Sequence, residues 1–320
     1  MSDSNSYATN PVLSDNETMA IGHRPTFISI GPGRCATSWL HQSLEAHAEI
    51  AMASVKETEY FNTFYDRSAA WYESHFKSHA PAVGEISSNY YLDPDVAKRI
   101  RDYDPSIRII INLRNPFTLL QSFYNFGVRR GMELNSLAQS MDVPIGSLMG
   151  SGFASRKKRN SLTPSDTVTL LDSVCLHDRL KPFLEVFPND QIHFFIFEEL
   201  QYDWQAALSN AYKFLGVAAD FEPEGASQIV NSSVVPKSKL VARLATNTAS
   251  LLRSVGMYRL LSTLHRSNLV KKILFNSNKE GSELSNLRST LDPTVVKRLD
   301  AQIERLKAMH RPLNKLWKED

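Results

Sequence analysis

The chain has 320 residues, of which 42% are hydrophobic and 22% charged, and its formal net charge at pH 7 is +2. This composition is typical of a globular protein with a sizeable core, and it excludes a low-complexity or fibrous chain. Two cysteines, Cys35 and Cys175, and no apolar run of membrane-spanning length predict a reducing compartment, which we take to be the cytoplasm. Residues 1–23 are rich in Ser, Asn, Asp and Thr, lack the features of a signal peptide, and are predicted to form a disordered tail.

The first informative stretch is an apolar run, Phe27 to Ile30, that stops at Gly31-Pro32-Gly33 and turns directly into a helical pattern. Glycines let backbone N–H groups approach an anion closely, and a helix that begins there adds its unpaired N–H groups and the positive end of its dipole. The sequence therefore predicts a phosphate-binding strand, loop and helix.

Three anions compete for this loop. Gly31 to Ala36 satisfies the dinucleotide pattern G-x-G-x-x-G/A, but Glu49, the acidic residue near the required distance, precedes the next strand instead of ending it. A nucleoside triphosphate loop would need a lysine where Thr37 stands. A cation inside the loop, Arg34, followed by hydroxyl groups where the helix opens, favours a phosphosulfate.

Two further interpretations of the loop are weaker. A purely structural turn is disfavoured, because Arg34 at a helix N-terminus opposes the dipole unless an anion is present. Cys35 could be a nucleophile activated by the helix, but a phosphatase would need an arginine six residues later, where His41 stands. We interpret Cys35 as a small packing residue.

Strand-like and helical patterns alternate along the rest of the chain. The strand-like runs are Ile50–Met52, Ala82–Ile86, Arg108–Leu113 and Ile192–Phe197, and the helical patterns cover Ser38–His47, Asp95–Tyr103, Phe117–Arg129, Ser173–Phe187 and Trp204–Leu215. This alternation predicts an α/β fold in which helices flank a central parallel sheet. Residues 24–320 are predicted to form a single domain, with a helical elaboration at the C-terminal end that includes a packing helix from Asp292 to Trp317.

Polar residues follow the first four strands, at the carboxyl ends where ligands gather in such sheets. They are Arg34, Lys56 to Phe61, Ser87 to Tyr91, and Arg114-Asn115-Pro116, with Ser122 two turns into the next helix. Residues 131–167 break the alternation and are predicted to be a lid or insertion over the site, with a mobile surface loop as the equal alternative.

Basic residues concentrate in the segment 237–290. Between Lys237 and Lys279 there are nine Lys and Arg and no Asp or Glu, with apolar residues at helical spacing. A solvated helix face, peripheral contact with an anionic membrane, and an anionic acceptor or nucleotide all remain open. Nucleic acid is not expected, because few aromatic residues are interleaved. No metal site is expected either, since nothing completes the pair His75 and His79.

With these loops in view, the chain resembles the sulfotransferases that use 3′-phosphoadenosine 5′-phosphosulfate (PAPS), closest to the glycan (heparan-sulfate-type) O-sulfotransferases and their bacterial relatives. Four motifs carry the resemblance: Gly31 to Ser38, Lys56-Glu57-Thr58-Glu59-Tyr60-Phe61, Gly84-Glu85-Ile86-Ser87-Ser88-Asn89-Tyr90, and Leu113-Arg114-Asn115-Pro116 with Ser122. The resemblance implies a P-loop-like fold and transfer of a sulfuryl group from PAPS to an acceptor hydroxyl, with PAP as product and no metal.

The resemblance also implies roles for residues. Glu57 is expected to be the general base, with Glu59 and Glu85 as rivals, Lys56 to hold the sulfuryl group or orient Glu57, and Arg34 to stabilise charge on the leaving 5′-phosphate. The expected nucleotide ligands are Gly33, Arg34, Cys35, Ala36, Thr37 and Ser38 in the loop, Arg114 and Ser122 at the 3′-phosphate, and Lys237 and Ser238 by weaker similarity. Structural roles for Arg114, Ser122 and Glu57 are the alternatives.

The chain departs from the family pattern at three positions, and the identity of the acceptor stays open. Ala36 stands where the loop usually has glycine, which predicts a negative φ at this position. Leu119 replaces a frequent arginine, and Ile86 a lysine of some glycan enzymes. The acceptor is expected to be a saccharide or glycan, with a small hydroxylated metabolite or a lipid as the alternative. An NAD(P)-dependent oxidoreductase and a binding module without turnover are the alternatives of other classes.

Overall fold

Five parallel strands form the central sheet of the computed structural model, which describes residues 22–130, 132, 134, 136–149, 163–229, 234–236, 275–277 and 283–317. The strands are β1 (Phe27–Ser29), β2 (Ile50–Met52), β3 (Ala82–Ile86), β4 (Arg108–Leu113) and β5 (Ile192–Ile196). Their order is β2-β3-β1-β4-β5, so β1 with its loop lies at the centre. The predicted parallel sheet and the strand positions are confirmed.

Helices cover both faces of the sheet. They are α1 (Thr37–Glu45), α2 (Ala69–Glu73), α3 (Val96–Tyr103), α4 (Pro116–Arg129), α5 (Ile145–Met149), α6 (Pro164–Thr167), α7 (Leu170–Val174), α8 (Leu176–Val186), α9 (Glu199–Leu215), α10 (Ala226–Ile229), α11 (Glu283–Thr290), α12 (Pro293–Met309) and α13 (Leu313–Leu316). Short 3₁₀ helices span Tyr90–Leu92, Leu137–Ser140 and Asn189–Gln191, and β6 (Val234–Pro236) pairs antiparallel with β7 (Phe275–Ser277).

The core divides into two layers because successive side chains of a strand point to opposite faces. Ile109 and Ile111 of β4 pack into one layer with α3, α4, α8 and α12, whereas Ile110 packs into the other with α1 and α9. Both faces are covered, and this explains why β4 reads as a continuous apolar run instead of an alternating one.

One helix prediction needs correction, and another is confirmed. The helix predicted over Ser173–Phe187 is split, because Cys175 (φ −75°, ψ 66°) turns the chain between α7 and α8. The helix predicted over Trp204–Leu215 starts where expected, because Asp203 (φ −154°, ψ 82°) is non-helical and its carboxylate accepts from the N–H of Ala206 at 2.9 Å. A shorter helical segment that begins at Glu199 precedes it within α9. At Cys175 a local turn geometry overrides the apolar periodicity.

Several sequence predictions fall largely outside the described residues: the tail before residue 22, the middle of the predicted lid, and most of the basic segment. The described part of the predicted lid includes α5, which packs on α4 through the buried Leu148, and α6, which contacts α5. In the part of the chain that is described, no helix is both long enough and apolar enough to cross a membrane.

We expect Gly84→Ala to lower the free energy of unfolding by about 1–3 kcal/mol. A Cβ atom at this central position of β3 would lie 2.5 Å from both the ring and the carbonyl oxygen of Phe27, and the backbone there cannot retreat. Gly225→Ala is the control, because Gly225 has a positive φ but no atom within 4 Å of the added Cβ. Urea unfolding measures both variants, and equal losses would contradict steric crowding at Gly84.

We also expect a pH dependence of stability that comes from His193. This residue of β5 stacks on Phe214 with 5.2 Å between ring centroids, and burial, with a smaller effect of His310, lowers its pKa from 6.5 to about 4. Between these values the unfolded chain binds a proton that the folded protein does not, so stability is lost as the pH falls from about 6.5 towards 4. The free energy of unfolding of His193→Phe should fall less over this window, and parallel curves for the two proteins would refute this origin.

Candidate active site

The loop between β1 and α1 turns through two left-handed residues, Arg34 (φ 69°) and Ala36 (φ 60°). Such turns direct successive backbone N–H groups into one concavity, a nest that suits an anion. Ala36 is the N-cap of α1, and its methyl group cannot cap the first-turn N–H groups, which have no acceptor within the helix. The backbone of this loop therefore presents several donors to one point.

The prediction that Ala36 has a negative φ is wrong. The N–H of Leu40 closes the first turn of α1 on the carbonyl of Ala36 at 2.9 Å, and Leu40 and Trp39 are anchored in the core, so tertiary packing holds Ala36 in the left-handed region. Glycine is instead required at Gly31, where a Cβ atom would lie 2.3 Å from the backbone nitrogen of Asn112.

A buried side-chain clamp fixes the same loop. Asn112 of β4 donates from Nδ2 to the carbonyl of Cys35 at 3.2 Å and accepts at Oδ1 from the hydroxyl of Ser29 at 2.6 Å. The sequence analysis did not predict this pair, although a polar residue such as Asn112 inside an apolar strand indicates a buried hydrogen bond. Cys35 is buried, and burial raises the pKa of its thiol, so the residue packs instead of acting as a thiolate.

Arg34 and Ser122, 88 positions apart in the sequence, meet in the structure. Nε of Arg34 donates to the hydroxyl of Ser122 at 3.3 Å, and its guanidinium lies 5.0 Å from the ring centroid of Phe126. Burial and, to a smaller extent, the nearby cations Arg129 and Arg114 together lower the pKa of Arg34 from 12.5 to about 10. This environment disfavours positive charge and would be relieved by a bound anion.

Arg114 lies beside the loop and is only 6% exposed. It donates from Nη1 to the carbonyl of Arg34 at 3.1 Å and from Nε to the hydroxyl of Thr118 at 3.0 Å. Its guanidinium stacks on Phe197 at 4.1 Å from the ring centroid. These contacts fix the plane of the guanidinium at the carboxyl end of β4, next to the nest.

The segment just after β5 supports Arg114, and the sequence analysis did not predict this support. Oε1 of Glu198 accepts from the N–H of Asn115 at 2.8 Å, so Glu198 holds the turn that carries Arg114. Burial raises the pKa of Glu198, whereas the N–H of Asn115 and the nearby indole N–H of Trp317 oppose this shift. Their position in the sequence could have indicated this role, because Phe197 and Glu198 directly follow β5, at the edge of the sheet where ligands bind.

The second loop of the site follows β2 and carries Glu57 (φ 63°) and Glu59 (φ 50°), both left-handed. The carboxylate of Glu57 accepts from the N–H of Ser88 at 2.6 Å and from its hydroxyl at 2.9 and 3.0 Å. It also pairs with Nζ of Lys56 at 2.5 Å, and the two side chains are 22% and 27% exposed. Glu57 is thus oriented on one side and open to solvent on the other.

The rival carboxylates are buried and have structural partners. Glu85 accepts from the hydroxyls of Tyr72 at 2.8 Å, Tyr90 at 2.9 Å and Ser87 at 2.7 Å, and from that of Thr58. Burial raises the pKa of Glu85, while these hydrogen bonds oppose the shift.

Glu59 accepts from Nδ2 of Asn89 and from the hydroxyl of Thr63, both at 2.9 Å, and is 1% exposed. Of the three carboxylates, the geometry favours Glu57 for contact with a substrate.

The hydroxyls that bind Glu85 also anchor the second loop. Ser87 accepts from the N–H of Glu59 at 3.1 Å, and Tyr90 accepts from the N–H of Phe61 at 3.2 Å. The buried carboxylate therefore fixes the backbone that presents Glu57.

The remaining predicted residues divide into two groups. Gly33, Thr37 and Ser38 lie in the first loop and the first turn of α1, with Ser38 exposed. Lys237 and Ser238 lie outside the described residues, and their role stays a prediction. No group of three His, Cys, Asp or Glu side chains suited to a metal ion occurs within the described ranges.

We expect Glu85→Ala to lower the free energy of unfolding by about 3 kcal/mol, because several buried hydroxyls lose their shared acceptor. Glu57→Ala is the matched control, and its partly exposed carboxylate should cost about 1 kcal/mol or less. Denaturant unfolding at pH 7 measures both, and similar losses would contradict the different roles assigned to these carboxylates.

Comparison with known proteins identifies the family of the chain. The model of the sulfotransferase domain family matches residues 24–310. The chain is 32% identical over 110 residues to the membrane-associated sulfotransferase kil1 of Dictyostelium discoideum, covering 33% of this chain and 23% of that protein. It is 24% identical over 196 residues to heparan sulfate glucosamine 3-O-sulfotransferase 6 of Mus musculus, covering 60% of this chain and 52% of the relative.

The chain thus spans about half or less of these curated relatives. Among solved structures, a sulfotransferase from Alicyclobacillus acidocaldarius is 25% identical, with a TM-score of 0.53, 78% of this chain and 99% of that chain covered. Since the family model extends over most of the sequence, from the phosphate-binding loop to the end of α12, the chain belongs to the sulfotransferase domain family.

Proposed function

We propose that this protein is an O-sulfotransferase that moves a sulfuryl group from PAPS to an acceptor hydroxyl. The observation that carries the proposal is the meeting of Arg34 with Ser122 and Arg114 around the backbone nest. The loop with Lys56 and Glu57 follows a parallel strand of the same sheet and so lies at the same edge.

The residues fit the anionic groups of PAPS, which supplies the activated sulfuryl group. The nest and Arg34 suit the 5′-phosphosulfate, since Arg34 already has a pKa lowered by burial and by neighbouring cations. Arg114, held flat against Phe197, and the hydroxyl of Ser122 suit the 3′-phosphate as a guanidinium fork and a hydroxyl donor.

Glu57 is proposed as the general base. Its carboxylate takes the proton of the acceptor hydroxyl as the acceptor oxygen forms its bond to sulfur. The bond between sulfur and the bridging oxygen breaks, and the electron pair stays on the 5′-phosphate, where Arg34 and the nest offset the charge. Lys56, paired with Glu57, orients the carboxylate and is placed to contact a transferring sulfuryl oxygen.

The acceptor is proposed to be a saccharide or glycan. Similarity to a protein whose name specifies heparan sulfate supports this choice, with a small hydroxylated metabolite or a lipid as the alternative. Similarity to a membrane-associated sulfotransferase and the basic sequence of residues 237–279 support the proposal of peripheral membrane contact. The unpaired, buried cysteines support a cytoplasmic location.

The nicotinamide alternative has no comparable support. Glu49, the only acidic residue proposed for the ribose, precedes β2, at the opposite edge of the sheet from the nest. Its carboxylate accepts from the N–H of Ala218 at 2.7 Å, in a contact with the chain that follows α9.

Calorimetric titration with PAP in the presence of a chelator tests the nucleotide site. We expect metal-independent binding by the wild type and at least roughly tenfold weaker binding by Arg114→Ala, because a buried charge-assisted contact is lost. Glu57→Gln should bind PAP as the wild type does but lose transfer of labelled sulfate from PAPS to acceptor hydroxyls. Absence of PAP binding by the wild type would refute the proposed function, and PAP binding without any dependence of transfer on Glu57 would refute its role as base.

A further inference from the structure

Trp317 lies close to Glu198, the residue that supports the turn carrying Arg114. Trp317 follows α13, and its backbone N–H donates to the carbonyl of Leu313 at 2.8 Å. It is only 3% exposed and packs in the core layer that also contains Leu113, the last residue of β4. The fold thus brings the segment after α12 to the carboxyl ends of β4 and β5.

The carboxylate of Glu198 connects this indole to the Arg114 turn. Its Oε1 accepts from the N–H of Asn115 at 2.8 Å, while its Oε2 and Nε1 of Trp317 are both buried. Phe197, directly before Glu198, lies against the guanidinium of Arg114 at 4.1 Å from the ring centroid. The carboxylate is therefore within electrostatic reach of Arg114 as well as of the indole N–H.

Three donors share the charge of this one shielded carboxylate. Burial raises the pKa of Glu198, and the N–H of Asn115, the indole N–H of Trp317 and the charge of Arg114 oppose the shift, in that order. A carboxylate with too few donors is costly in such a place, and a guanidinium is the strongest partner that it can recruit. Removal of the indole N–H would therefore draw the carboxylate towards Arg114.

Such an attraction would compete with the role proposed for Arg114. A guanidinium engaged by a carboxylate has fewer N–H groups for a phosphate, and the negative charge also repels the phosphate. We propose that Trp317 is a positioning residue for nucleotide binding: its indole N–H keeps the carboxylate of Glu198 from engaging Arg114, which then faces the 3′-phosphate. This inference rests on the proposed function and extends the support of the nucleotide site to the segment after α13.

Calorimetric titration of the full chain with PAP tests the inference. Trp317→Phe keeps an aromatic ring in the core but removes the N–H, and it should bind PAP at least about fivefold more weakly. Glu198→Gln removes the competing charge and keeps an oxygen that accepts from the N–H of Asn115. The double variant Glu198→Gln/Trp317→Phe should therefore return to within about twofold of wild-type affinity. Loss of ring packing alone would not be rescued by a change at Glu198.

Two controls separate the indole N–H from packing and from general effects of losing an indole. Leu313→Val loosens the core beside Trp317 and should lower the urea midpoint while PAP affinity stays within about twofold. Trp71→Phe removes an indole on α2, where the ring contacts Phe64 and His75, and should leave PAP affinity unchanged.

The outcomes separate the inference from the proposed function. If the wild type does not bind PAP, the proposed function itself fails. If the wild type binds PAP and Trp317→Phe binds it equally well, the inference is wrong and the function stands. If Leu313→Val weakens binding as much as Trp317→Phe does, or if the double variant is not rescued, Trp317 only packs and the inference is again wrong.

An isosteric replacement keeps the test decisive if Trp317→Phe unfolds. Incorporation of 3-benzothienylalanine at position 317 substitutes sulfur for the ring N–H and preserves the shape of the side chain. This protein should show the same weakening of PAP binding, and wild-type affinity in it would overturn the inference.

Discussion

The buried carboxylate of Glu85 is the interaction on which the active-site geometry depends. A buried carboxylate is costly, and Glu85 has no ion pair with the described residues; the hydroxyl groups of four residues donate hydrogen bonds that offset this cost. Those hydroxyls come from the second loop, α2 and the chain that follows β3. One buried charge thus joins three segments that the sheet alone would leave independent, and it fixes the backbone on which Glu57 is presented.

Backbone strain is concentrated in the same place. The non-glycine residues with positive φ in the described ranges are Arg34, Ala36, Glu57 and Glu59, all in the two loops of the site. Each costs roughly 1–2 kcal/mol and persists because surrounding contacts determine it. The Asn112 clamp does so for the first loop, and the hydroxyls around Glu85 do so for the second. Binding geometry is therefore built before a ligand arrives.

Much of the fold and of the site was accessible from the sequence. Strands buried on both faces read as apolar runs, so β1 to β5 were predicted. The polar residues that follow these strands also predicted that Arg34, Glu57 and Arg114 lie at the same edge of the sheet. The contacts that orient these residues were not accessible. Glu198 supports Asn115 across 83 positions, and neither periodicity nor spacing carries such a pairing. The break at Cys175 is a single backbone torsion, which residue type does not determine.

The left-handed alanine at position 36 has a consequence for how such loops are recognised. Glycine would adopt this conformation without strain, but it loses more backbone entropy on folding than alanine does. The two effects are both near 1 kcal/mol and largely cancel. The donors of the nest are backbone N–H groups, and every residue except proline has one. A search that demands glycine at this position would overlook proteins whose loops have the same shape, so torsion angles identify this kind of nest better than residue identity does.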